Sequence, residues 1–153
     1  MVTVVLAGAL MLGLLVISRR PESAVRLPDG VSDDPAVSAI LSRSCQDCHS
    51  DRTRWPWYTN VPPASWLVSA DVKEARSHMD FSRWKNYSLE DKQQILTEIA
   101  ASARNEQMPP ARYLMMHPDA RLSLDETALL YTWARSERRK VRAQEAGDGR
   151  NLH

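Results

Sequence analysis

Cysteine is scarce in this chain: only two of the 153 residues are cysteines, and they lie three positions apart. No second Cys/His pair at finger spacing accompanies them, and the other histidines, His78, His117 and His153, are single and scattered. A structural zinc site, which needs about four protein ligands, is therefore disfavoured. An excess of charge is also missing, since 20 Lys and Arg residues face 19 Asp and Glu residues. Nothing in this balance indicates a nucleic-acid partner.

Alternating strand patterns, internal repeats and low-complexity stretches are missing from the core of the sequence as well. Because no strand leads into the two cysteines, the βαβ setting of a thioredoxin-like thiol pair is disfavoured. A disulfide between them would close a very small loop, which adds little stability in the loop-entropy description. Phenylalanine is nearly absent, with one residue against five tryptophans. That balance suits a small core around a large flat ligand, although tryptophan also fills ordinary cores.

The two cysteines belong to the run Cys45-Gln46-Asp47-Cys48-His49, which has the attachment spacing of a c-type haem. Two thioethers can hold two edges of one porphyrin while the adjacent imidazole reaches the iron from one face. We therefore predict that Cys45 and Cys48 bind one haem c covalently and that His49 is an axial ligand of its iron. Zinc binding, thiol redox chemistry and a simple disulfide are the alternatives.

Composition divides the chain into four segments. Residues 1–18 are predicted to form a signal-anchor or transmembrane helix, because residues 2–17 are apolar and uncharged. As a helix this run spans about 24 Å, which is short of the roughly 30 Å hydrocarbon core, and no small-residue cleavage site closes it. Residues 19–33 are predicted to be a linker, 34–139 the haem-binding domain, and 140–153 a charged, disordered tail.

Helical periodicity and capping signals predict an all-α domain of about four helices, preceded by the apolar N-terminal helix. The first starts at Asp34-Pro35 with an N-cap acid and proline, and the second covers about 64–77. The third opens at Ser88 and extends to about Ala103. The fourth opens at Ser123 in a capping box and extends to about Arg139.

A second iron ligand is expected from the segment between the third and fourth helices. Met108 precedes Pro109 and Pro110, which restrict their own φ angles and that of the residue before them. A stiff loop lowers the cost of keeping a weak thioether bond, so Met108 is the predicted distal ligand, against the alternative of ordinary core packing. His117 is the second choice. The weaker candidates are His78, Met79, Met115 and Met116.

The stretch from about Ala39 to Ala134 resembles a c-type cytochrome, and more narrowly the small haem-binding domain family of bacterial exported proteins. The ordered series that carries the resemblance comprises Cys45-Gln46-Asp47-Cys48-His49, Trp55-Pro56-Trp57-Tyr58, Val61-Pro62-Pro63-Ala64-Ser65-Trp66, Phe81-Ser82-Arg83-Trp84, Met108-Pro109-Pro110 with Tyr113, His117-Pro118-Asp119-Ala120-Arg121-Leu122-Ser123, and Trp133. The resemblance implies a cytochrome c-like bundle around one covalent haem, with the first and last helices crossing and Met108 as distal ligand.

The resemblance also implies haem attachment on the exported side of a bacterial membrane. Arg19 and Arg20 follow the apolar run and by the positive-inside rule favour the opposite orientation; we give the haem motif precedence. The expected location is the inner membrane, held by a single N-terminal helix, with the haem domain in the periplasm. Secretion to the periplasm after signal cleavage is the alternative.

The expected function is that of a cytochrome carrying single electrons between redox partner proteins, because two axial ligands leave no site on the iron for a substrate. A haem-based sensor or small-ligand binder with a displaceable distal ligand, possessing weak peroxidase activity, is the alternative. An accessory subunit with a structural haem is the third reading. Arg76, Arg83 and Arg112 are candidate partners of the haem propionates, against a reading as solvated surface residues. The side chains of Trp57, Tyr58 and Trp84 either line the haem edge or pack structurally.

Overall fold

A computed structural model describes residues 27–150, with side chains up to residue 148. Within this part the protein is all helical and has no strand, which confirms the predicted class. Its α-helices are α1 (Pro35–Ser44), α2 (Gln46–His49), α3 (Ala64–His78), α4 (Leu89–Arg104), α5 (Ala111–Met116) and α6 (Leu124–Arg150). Short 3-10 helices cover Trp57–Asn60, Phe81–Asn86 and Pro118–Ala120. The arrangement is consistent with a cytochrome-like bundle.

Helix starts follow the capping signals of the sequence. Asp34 Oδ1 accepts hydrogen bonds from the backbone N–H groups of Ala36 at 2.8 Å and Val37 at 3.2 Å, which satisfies two donors at the start of α1. At α4, which opens at Ser88 as predicted, Ser88 and Asp91 form a reciprocal capping box. These local bonds explain why the predicted starts of α1 and α4 agree with the structure to within one residue.

The first and last helices meet through a capping box and an ion pair. At the start of α6, the Glu126 carboxylate accepts from the Ser123 backbone N–H at 2.8 Å, and Ser123 Oγ accepts from the Glu126 N–H at 3.2 Å. Arg43, in the last turn of α1, lies 2.8 Å from Glu126. The ion pair and the hydrogen bonds lower the pKa of Glu126 to about 2. A charged Glu126 therefore contributes to the contact between α1 and α6, beside the apolar side chains that both helices bury in the core.

Helices α4 and α6 pack along much of their length and form one wall of the core. The apolar face of α4 is buried, and Leu130 and Trp133 of α6 pack against the same cluster. Phe81 lies at its centre with no exposed surface. The buried cluster comprises Leu27, Val31, Val37, Ile40, Leu41, Met79, Phe81, Trp84, Ile95, Leu96, Ile99, Ala100, Ala103, Leu130, Trp133, Ala134 and Val141.

The last helix extends beyond the predicted end near Arg139, and the prediction of a disordered tail from residue 140 is wrong as far as Arg150. Val141 is buried in the core cluster, which gives this charged segment an apolar anchor. The amide of Gln93 on α4 donates to the Glu145 carboxylate at 2.6 Å, so polar residues extend the α4–α6 contact. A segment that is charged on one face can therefore remain helical when its other face meets a neighbouring helix.

The predicted N-terminal helix, residues 1–18, lies outside the described residues. Among residues 27–150, no helix is both long enough and apolar enough to cross a membrane.

Candidate haem site

His49 lies at the end of the short helix α2, where its ring orientation is set by a backbone carbonyl. Its Nδ1 lies 3.1 Å from the carbonyl oxygen of Met79. Because a carbonyl only accepts, Nδ1 carries the proton and Nε2 keeps its lone pair. Burial lowers the pKa of His49, which favours the neutral imidazole. The Phe81 ring packs beside the imidazole at 6.3 Å between centroids. The side chain therefore presents Nε2 in the state that a metal requires.

The two cysteines flank one turn of helix and are not bonded to each other. Cys45 lies between α1 and α2, where its backbone N–H donates to the Leu41 carbonyl at 3.0 Å. Burial raises the pKa of Cys45 to about 12 and that of Cys48 to about 11. Both cysteines are free thiols, and their burial favours the protonated form. Within the described part of the chain, the structure shows no group of three or more His, Cys, Asp or Glu side chains arranged to hold a metal ion.

Asp47, inside the motif, is a buried carboxylate that the sequence analysis did not single out. Its Oδ1 accepts from Arg54 Nε at 3.1 Å and from the Arg54 backbone N–H at 3.1 Å, and its Oδ2 accepts from Arg54 Nη2 at 2.9 Å. Tyr113 Oη donates to the same Oδ2 at 2.9 Å. Burial and the nearby carboxylate raise the pKa of Tyr113, so its hydroxyl keeps the donated proton. Asp47 thus joins the motif to a residue of α5.

Two tyrosines contact His117. Tyr58 Oη lies 2.6 Å from His117 Nε2, and the imidazole stacks on the Tyr113 ring at 4.4 Å between centroids with 18° between planes. The predicted second-choice ligand is therefore engaged with two tyrosines. These contacts bring together the 57–60 turn, α5 and, through Tyr113, the haem motif.

Met108 lies in the predicted loop, between α4 and α5, with 42% of its surface exposed. Its backbone N–H donates to the Ser102 carbonyl at 3.4 Å, and Pro109 beside it is buried. Pro110 is the N-cap of α5. The loop is thus held at α4 on one side and at α5 on the other.

The predicted propionate partners have different surroundings. Arg112 pairs with Asp71 of α3 through two bonds of 2.7 and 2.9 Å, on the protein surface. Arg76 Nη2 donates to Thr53 Oγ1 at 2.8 Å. Arg83 is exposed on the 81–86 helix. Two of the three arginines thus hold neighbouring elements together.

The other weaker candidates separate into core and surface. Met79 and Trp84 belong to the buried cluster, which supports the packing interpretation for both. His78 is exposed, and Met115 is 82% exposed on α5.

Helix α3 buries only Val72, although it contacts both α2 and the 57–60 turn. Trp66 on α3 is 70% exposed, and Trp57 on the turn is 76% exposed. Monomeric soluble proteins rarely leave several large apolar side chains exposed in one region without a binding partner for them. Trp57 and Trp66 therefore offer exposed apolar surface to a ligand. The two free thiols and the unprotonated Nε2 of His49 are the groups that the predicted haem attachment requires.

Comparison with known proteins supports haem binding. The model of the family described as "Haem-binding domain" matches residues 10–136 of the chain. The cytochrome c peroxidase Ccp of Escherichia coli (strain K12) is 27% identical over 125 residues, which cover 79% of this chain and 27% of that protein. The chain therefore spans only about a quarter of that relative's length. No solved structure matches the chain.

Proposed function

Since the chain belongs to the haem-binding domain family, it binds haem, and we propose that it does so as a c-type cytochrome domain. In this proposal Cys45 and Cys48 hold one haem c through thioether bonds, and His49 and Met108 are the axial ligands. Bound haem supplies an iron that accepts and releases single electrons. The protein's residues hold, orient and cover that group.

The observation that carries the proposal is the position of His49 beside the two thiols. The Met79 carbonyl fixes the imidazole with Nε2 unprotonated. The backbone N–H groups of Cys48 and His49 both donate to the Cys45 carbonyl, at 3.3 and 3.0 Å, so one turn of helix fixes all three motif residues. A ligand bound to both cysteines would be held with its centre near this imidazole.

Met108 is proposed as the second ligand because its loop is stiff and anchored. Pro109 is buried and Pro110 caps α5, so the backbone on the C-terminal side of Met108 has little freedom. Met108 is 42% exposed, so its side chain is accessible to a bound group. Histidine and methionine together raise the reduction potential of a haem relative to more electron-donating ligands.

Electron transfer without a bound substrate follows from two filled axial positions. Trp57 and Trp66 are exposed apolar side chains that could contribute to covering a bound haem, which would supply the electron-transferring iron. We propose that the redox partners are proteins and that transfer takes place at the exported face of a bacterial membrane. The apolar run at residues 2–17 supports the location at a membrane.

Covalent attachment can be tested by expressing the full chain in a host that attaches haem c. Wild-type protein should retain haem after denaturation, and its mass should increase by one haem. Cys45→Ser and Cys48→Ser should each lose one attachment point, and the double variant should release all its haem on denaturation. A wild-type protein that releases its haem on denaturation would overturn covalent binding.

The Met108 assignment is tested by spectra of the loaded protein. Wild type should show a low-spin six-coordinate iron with the charge-transfer band of methionine-ligated ferric haem. Met108→Ala should lose that band, whereas Met115→Ala, on the exposed surface of α5, should retain it. An unchanged spectrum in Met108→Ala would reject the ligand.

Peroxide reduction is a second candidate function, favoured by the similarity to the cytochrome c peroxidase of E. coli. It requires a distal position that peroxide can reach. If it is the main activity, wild type should oxidise an electron donor with hydrogen peroxide as fast as Met108→Ala. If the Met108 sulfur occupies the distal position of the iron, only Met108→Ala should reduce peroxide.

A further inference from the structure

One side-chain hydrogen bond joins the haem motif to the segment that carries Met108. Tyr113 Oη donates to Asp47 Oδ2 at 2.9 Å, across 66 positions of sequence. Asp47 lies between the two cysteines, and Tyr113 follows Met108 by five residues. We propose that Tyr113 is a positioning residue whose bond to Asp47 keeps the Met108 loop against the motif and the Met108 sulfur on the iron. The inference rests on the proposed function, in which Met108 is the distal ligand.

Asp47 is suited to this task because its carboxylate is immobile. It is 7% exposed, and Arg54 holds both of its oxygens. Its backbone carbonyl also accepts from Thr53 Oγ1 at 2.7 Å. Tyr113 therefore donates to an anionic acceptor that is already oriented, and such charge-assisted bonds are about twice as strong as neutral ones.

The segment between Met108 and Tyr113 is short and restricted, so a movement of Tyr113 should also move Met108. Pro109 and Pro110 fill part of the gap with restricted φ angles. The Tyr113 backbone N–H donates to the Pro110 carbonyl at 2.9 Å, which closes the first turn of α5. The Ser102 carbonyl holds the other side of the loop through the Met108 N–H. A shift of Tyr113 would therefore move the Met108 backbone rather than be absorbed between them.

The ion pair that joins α5 to α3 is a weaker anchor than the bond between Tyr113 and Asp47. Arg112 pairs with Asp71, but their side chains are 69% and 35% exposed. Ion pairs with this exposure contribute little because water and salt screen them. The bond between Tyr113 and Asp47 is better protected from water, so it should dominate the placement of the loop.

The test compares Tyr113→Phe with Tyr131→Phe in the haem-loaded full chain. Both variants remove one phenolic hydroxyl, but only Tyr113 bonds to Asp47, whereas Tyr131 bonds to Arg135 within α6. Added imidazole competes with Met108 for the iron. A weaker bond between the Met108 sulfur and the iron therefore gives tighter imidazole binding. We expect about tenfold tighter imidazole binding in Tyr113→Phe, the effect of losing one hydrogen bond to a charged group. The control should stay within about twofold of wild type.

Two further measurements separate positioning from a general loss of structure. Tyr113→Phe should lower the reduction potential and weaken the methionine charge-transfer band. Amide hydrogen exchange should accelerate over residues 105–117 while the α4–α6 contact keeps its protection. If the Tyr113→Phe protein contains no haem, Asp47→Asn replaces it, because that substitution weakens the same hydrogen bond at the acceptor. The same measurements are then made on Asp47→Asn.

A double-mutant cycle completes the test. With Met108→Ala as background, Tyr113→Phe should leave imidazole affinity unchanged, because no methionine remains to be positioned. If Tyr113→Phe changes imidazole affinity equally in wild type and in Met108→Ala, the inference is overturned and the proposed ligand is not. The same holds if Tyr113→Phe binds imidazole within about twofold of wild type. A Met108→Ala protein with the wild-type spectrum overturns the proposed ligand and the inference together.

Discussion

Arg54 holds the carboxylate of Asp47 at both oxygens, with Nε 3.1 Å from Oδ1 and Nη2 2.9 Å from Oδ2. The acid lies within the haem motif, and the arginine lies in the loop that leaves it. This two-point contact closes the chain around the motif and gives the buried carboxylate its counter-charge.

Replacing Asp47 by alanine should therefore be costly. The substitution leaves the half-buried Arg54 guanidinium without this counter-charge and also removes the acceptor of Tyr113. We expect the free energy of unfolding to fall by about 2–4 kcal/mol, measured by urea denaturation at pH 7. Asp119→Ala, at an exposed carboxylate, is the matched control and should change it by about 0.5 kcal/mol or less. Equal effects of the two substitutions would contradict the role of Asp47.

Phe81 supports His49 from the core side. It has no exposed surface, and its ring lies 6.3 Å from the imidazole. Phe81→Ala should lower the free energy of unfolding by about 3–5 kcal/mol through lost burial and a residual cavity. Leu124→Ala, at a side chain that is 85% exposed, should have little effect in the same denaturation experiment. A loss below about 1 kcal/mol in Phe81→Ala would show that the site lies outside the stable core.

The C-terminal extension of α6 can be tested at Val141. This residue is buried in the core cluster, so Val141→Asp would place an unpaired carboxylate against apolar neighbours. We expect a loss of about 2 kcal/mol or more in the free energy of unfolding. Ala143→Asp adds the same charge to the same segment at an exposed position and serves as control. If both variants match wild type, the segment does not pack as described.

The ion pair between Arg43 and Glu126 should make stability depend on pH in the acid range. The pKa of Glu126 is about 2 in the folded protein, below its ordinary value of 4.5. Its stabilising contribution is therefore complete above about pH 4.5 and is lost as pH falls towards 2. Because the pair is partly exposed, we expect only about 1 kcal/mol.

Glu126→Gln isolates this effect. Wild type should be more stable than the variant at pH 7, and the difference should disappear near pH 2. Denaturation curves at several pH values provide the measurement. A difference that persists unchanged at the lowest pH would assign the effect to the capping bonds rather than to charge.

Much of the helical architecture could be predicted because its signals are local. Asp34, Ser88 and Ser123 mark helix starts through bonds to backbone N–H groups two or three residues away. The end of α6 could not be predicted in this way. The charged sequence of residues 140–150 is typical of a solvated segment. Contact with α4 explains why Val141 is buried and why the helix continues.

For the site, the sequence alone predicted haem binding, which the family match supports, since two thiols and an imidazole at this spacing form a local pattern. The adjacent prolines predicted Met108 as the second ligand, which stays a prediction. Only the tertiary structure decided which atoms orient these groups. The Met79 carbonyl selects the His49 tautomer, and Tyr113 meets Asp47 across 66 positions. Such partners depend on how helices pack, and neither residue spacing nor composition records that geometry.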